Sequence, residues 1–202
     1  MAVRIRSRFH REGQRSGATL ASVVAILSWK LAKDAIDRMR EARYDVDIGR
    51  PYFDFVCEFL VFMAVAADRI AYTKLAGEAR VEFTAALVKR LAEIVEENNG
   101  MLLGAAKPGE CQSHFIDLFN RRGGEYAEFA YGTEGPDFGF KRLFAARLGE
   151  GLPEKDRLWV VDQVMEIEVP EALRGLERTL GGLFSKGDVP GRERRASVVS
   201  GE

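Results

Sequence analysis

PYFDFVCEFLVFMAVAADRIAYTKL, residues 51–75, decides the fold. Pro51 stands where a first helical turn tolerates a residue without an amide donor. From there Phe53, Val56, Leu60, Ala64 and Ala67 mark one helical face, while Phe55, Phe59 and Phe62 mark another. A helix apolar on most sides is either central in a bundle or covered by another chain. Its polar residues Asp54, Glu58 and Asp68 share a stripe that Val61 and Val65 interrupt. The run FLVFMAVAA (59–67) lies between Glu58 and Asp68. It falls far short of the roughly 20 apolar residues a membrane helix needs. No transmembrane segment is expected.

Outward from this helix the same period recurs. Leu20, Val24, Leu27, Leu31, Ile36 and Met39 predict a helix over about 18–43, and Val81, Leu87, Val88, Leu91, Ile94 and Val95 predict another, closed by EENNG. Phe115, Leu118 and Phe119 predict a fourth over about 110–122. Phe140, Leu143, Phe144 and Leu148 predict a fifth over about 138–149, with Asp137 as its N-cap. Pro153 opens a sixth helix, whose inward residues read as Leu158, Val161, Val164 and Met165. Pro170 then predicts a kink or split, because proline lacks a donor and clashes with the preceding turn. A last helix carries Leu173, Leu176, Leu180 and Leu183. Sustained strand alternation is absent. The expectation is one all-α domain over 17–185, a bundle of six or seven helices with an aromatic, glycine-rich loop between the fourth and fifth. A basic arm (1–16) precedes it, and a tail with little to bury (186–202), read as disordered, follows.

The net charge of −1 over 202 residues is unevenly spread. Residues 1–15 carry five arginines against one glutamate, leaving an acidic body. An acidic body argues against nucleic acid, whose phosphates call for a clustered basic face. The opening imitates a signal peptide but lacks a small-residue cleavage site and flows into the first helix. Two cysteines, Cys57 and Cys111, build no disulfide framework, and a reducing cytoplasm is the expected location.

Asp54 and Glu58 stand one turn apart, but a di-iron bundle also needs Glu-x-x-His pairs, and neither His10 nor His114 has an acid three residues before it. Cys111, His114 and Asp117 offer metal-ligand atom types, yet over two turns they diverge from a single ion. No phosphate-cradling loop or nucleophile elbow is present. No metal or cofactor is expected, and the balance falls against an enzyme.

FNRRGGEYAEFAYGTEGPDFGFKRLF (119–144) adds a weaker expectation. Arg69 or Arg122 could neutralise an anionic ligand in a pocket walled by Tyr126, Phe129, Tyr131 and Phe138. The plainer alternative pairs those arginines with Asp68, Glu125 or Glu128. The function expected first is therefore non-enzymatic protein interaction, by self-association or partner binding in a regulatory or assembly role. Phe55, Phe59 and Phe62 would form the interface unless the chain covers them itself. The alternative is a bundle that binds a small anionic molecule and could extend to catalysis.

Overall fold

The structure, a computed structural model, describes residues 17–46, 49–98 and 107–185. The expectations for the arm, the tail and residues 99–106 of the glycine-rich link lie outside the described residues. The elements are α1 (Gly17–Glu41), α2 (Arg50–Tyr72), α3 (Gly77–Glu97), α4 (Glu110–Tyr126), α5 (Phe138–Glu150), α6 (Glu154–Gln163) and α7 (Val169–Ser185). Between α4 and α5 lies a two-residue hairpin, β1 (Tyr131–Gly132) and β2 (Gly135–Pro136). The fold is an all-α helical bundle.

α2 is its axis. It packs against α1, α3, α4, α5 and α7, which surround it. Both of its aromatic faces are therefore covered inside one chain. Phe62 stacks on Phe144 at 4.2 Å and meets Phe140 edge-on at 5.9 Å, while Phe59 meets Phe144 at 5.6 Å. Phe55, Phe59 and Phe62 are only 3%, 1% and 0% exposed. The interface expected of these rings is corrected accordingly: they form the chain's own core. The surrounding helices run α1, α3, α4 on one side and α1, α7, α6, α5 on the other, and the join between α4 and α5 is thin.

Four local readings change. Val81 and Leu158, expected inside, are 68% and 78% exposed. The buried stripe of α3 begins at Phe83, and that of α6 runs Asp156, Val160, Val164. Pro170 does not split its helix. A π-helical turn over Val164–Glu168 widens the backbone just before it, with the Val169 amide donating to the Val164 carbonyl, and α6 runs through this turn into α7. α4 continues past Gly123 and Gly124 to Tyr126. Burying the Tyr126 ring 4.5 Å from Phe140 and 6.5 Å from Phe62 outweighs the roughly 1 kcal/mol each helical glycine costs. Finally, the loop contains a hairpin, closed by Gly135 at a φ of 90° that side-chain-bearing residues avoid.

Asp137 caps α5 as its sequence position predicts. Its carboxylate accepts from the Phe140 amide at 2.7 Å and from the Ala130 amide at 2.8 Å, tying the hairpin to the helix.

Candidate functional site

The polar stripe of α2 reaches two places, one on each side of α4. Asp54 and Glu58 line a charged cleft with α4 and the end of α5. Asp68 lies at a groove between α3 and α4.

The cleft is floored by an ionic ladder. Arg122 grips Glu58 through Nε at 2.9 Å and Nη2 at 2.6 Å, and reaches Glu125 through Nη1 at 2.8 Å. Arg147 binds the other oxygen of Glu125 at 3.0 Å and also pairs with Glu150. Side chains of α4 and α5 thus bridge the thin join between those helices. Burial pushes the Glu58 carboxyl above its usual range, and the Arg122 bonds offset only part of that. Burial also works against the charge on Arg122, but Glu58 and Glu125 outweigh it and hold its guanidinium above the usual arginine range. Above this floor the cleft measures about 210 Å³, with Arg50, His114 and Arg121 among its walls. His114 tilts against Phe53 at 5.3 Å. Burial first, then Arg50, lower its affinity for a proton.

The groove is apolar and larger, about 490 Å³. Val81, Ala85 and Val88 of α3 face Ile116 and Phe119 of α4, with Arg80, Lys89 and Asn120 at its margins. Arg80 is itself fixed: it grips Asp68 at 2.9 and 2.5 Å, and Thr84 donates to the same carboxylate at 2.7 Å.

Of the residues proposed from sequence as an aromatic ligand pocket, Tyr126 and Tyr131 both pack on Phe140, and only Arg122 lines either the cleft or the groove. Arg122 is committed to Glu58 and Glu125, so the expectation that it stays open for an anionic ligand is corrected. Arg69 makes one long bond, at 3.5 Å, to the Tyr126 carbonyl. Tyr126 lies wholly in the core, whereas Phe138 is 65% exposed, so the two do not share a wall. Tyr131 meets Phe140 edge-on at 5.6 Å. The hydroxyls of Tyr126 and Tyr131 find no hydrogen-bond partner among the described residues, and burial raises the pKa of both. Phe129 lies over Gly139, where an added Cβ would come 2.4 Å from its ring.

Cys111, His114 and Asp117 do not gather either. Among the described residues, no group of three or more histidines, cysteines or carboxylates is placed to hold a metal ion. Sequence reasoning missed Arg50 and Arg121 as cleft residues and Val81 as a groove residue. The adjacent arginines at 121 and 122 were a usable signal, because neighbours on a helix point about 100° apart and one floor cannot engage both. No protein-family profile matches the chain, and neither a curated protein nor a solved structure does. Among the described residues, no helix is long and apolar enough to cross a membrane.

Proposed function

We propose that the protein acts by docking, without chemistry of its own, and that its partner is a second copy of the same chain seated across the α3–α4 groove. One observation carries this reading: the apolar groove of about 490 Å³ with Val81 standing 68% exposed on its edge. Apolar surface gathered in one concavity favours being covered. An apolar centre with polar margins at Arg80, Lys89 and Asn120 matches the anatomy of interfaces. A protruding valine beside an open groove on the same surface is self-complementary, as the common two-fold homodimer requires. The groove takes over the role first expected of the aromatic faces of α2. Cys57 and Cys111 are buried and free, in keeping with a reducing compartment, and a cytoplasmic location belongs to the same proposal.

Sedimentation velocity over a concentration series tests it. The expected result is a dimer that Val81→Glu converts to a monomer with an unchanged helical circular dichroism spectrum, since Val81 is 68% exposed and contributes little to the core. A wild-type protein that remains monomeric throughout, or a dimer indifferent to Val81→Glu, would overturn the reading.

A further inference from the structure

We propose that the charged cleft between α2, α4 and α5 binds a small oxyanion of the phosphate class, held by Arg121, His114 and the free amino groups of Arg50. The groups in the cleft that already have partners decide the sign of the ligand. Four arginines and three carboxylates line it. Every one of those carboxylates is gripped by a guanidinium: Asp54 by Arg50, Glu58 by Arg122, Glu150 by Arg147. A cation entering the cleft would find no carboxylate free. An anion meets a different surface.

Arg50 gives Asp54 only its Nε, at 2.8 and 2.9 Å, and makes no other hydrogen bond among the described residues, so both Nη groups remain available. Arg121 lines the cleft and forms neither an ion pair nor a hydrogen bond with any described residue. The His114 ring contacts Phe53, but its nitrogens bond to no described residue. The uncommitted capacity of the cleft is thus made of donors and positive charge, presented from two helices. Its volume of about 210 Å³ lies below the roughly 300–1,000 Å³ of sites for drug-sized ligands, which selects a small ligand. The arginine fork suits an oxyanion in particular, since it can offer paired N–H groups to neighbouring oxygens.

The histidine gives this site a readout. Burial, then Arg50 and Arg121, disfavour its protonation, while Asp54 and Asp117 favour it. Arg147 and Glu150 of α5 face the same cleft, already paired with each other. A bound oxyanion would offset Arg50 and Arg121, so His114 takes up a proton on binding and becomes a further donor. Its pKa is then higher in the complex than in the free protein. Affinity accordingly rises as pH falls through that interval, and levels off below the free value.

The experiment is calorimetric titration of the full chain with sulfate and with inorganic phosphate, beside a proton NMR titration of the His114 ring. Sulfate is the primary probe because its charge is constant across the histidine range of about pH 5–8. His10→Gln removes the other histidine signal. We expect sulfate to bind, to raise the His114 pKa, and to bind roughly tenfold more tightly at the acidic end, the change that one pKa unit produces. Arg121→Gln, on an exposed side chain, should leave the melting temperature unchanged and abolish both effects. His114→Gln should retain weaker binding without its pH dependence. The proposal is overturned if sulfate does not bind, if chloride at matched ionic strength shifts His114 equally, or if Arg121→Gln leaves the shift intact. The titration is repeated on Val81→Glu, so that its outcome does not depend on self-association.

Discussion

At the scale of single residues, the Glu58–Arg122 pair shows how a buried charge is tolerated and what its loss would cost. Both side chains are 9% exposed, and every Glu58 oxygen has a guanidinium donor. Removing one member strands the other away from water, which typically costs 3–5 kcal/mol, whereas replacing both with apolar residues is often neutral or stabilising. Arg122→Met should therefore destabilise the protein by about 3–5 kcal/mol in urea unfolding. The double variant Glu58→Leu with Arg122→Met should recover most of that loss. A second residue-scale test concerns Gly139, whose missing Cβ makes room for the Phe129 ring. Gly139→Ala should cost about 1–3 kcal/mol through overpacking. In a Phe129→Ala background the same change should instead stabilise by about 0.5–1 kcal/mol, because alanine is the better helix former. Costs that were equal in the two backgrounds would show that the ring contact has no energetic role.

At the scale of elements, Asp137 joins the hairpin to α5, and its carboxylate makes that join depend on pH. The amides of Phe140 and then Ala130 hold its pKa below the ordinary aspartate value. A depressed folded-state pKa means that the contribution is complete above the unfolded value of about 3.9 and is lost as pH falls through the folded one. The melting-temperature difference between the wild type and Asp137→Ala should stay constant above about pH 5 and shrink below about pH 4. A difference that persisted undiminished at the acidic end would mean that the carboxylate charge has no part in the cap. This cap was legible in the sequence, as were the periodic helices, because hydrophobic spacing and capping chemistry are local. Val81 and Leu158 were not: each continues a helical period, and only the placement of neighbouring helices decides which apolar stripe is covered. The same limit explains the candidate site. Arg121 and Arg122 look alike in sequence, and only the packing of α4 on α2 commits one to Glu58 and leaves the other open.

At the scale of the whole molecule, a buried axis surrounded by helices is only as firm as its weakest join. α1 and α3 pack extensively on each other, whereas α4 and α5 meet through one buried ring contact, Tyr126 on Phe140, and the ladder of Arg122, Glu125, Arg147 and Glu150. Partly exposed ion pairs of this kind contribute about 0.2–1 kcal/mol each. Proteins open locally where buried apolar contact is sparse, so the α4–α5 join should open before the rest of the fold. Hydrogen exchange on Arg147→Met can locate this opening. Losing the Arg147 bridges to Glu125 and Glu150 should raise amide exchange in the hairpin and α5 by roughly fivefold, the equivalent of about 1 kcal/mol. The amides of α1 and α3 should keep their wild-type rates. A uniform acceleration through all helices would mean that the ladder supports global stability, and that the join between α4 and α5 is no weaker than its neighbours.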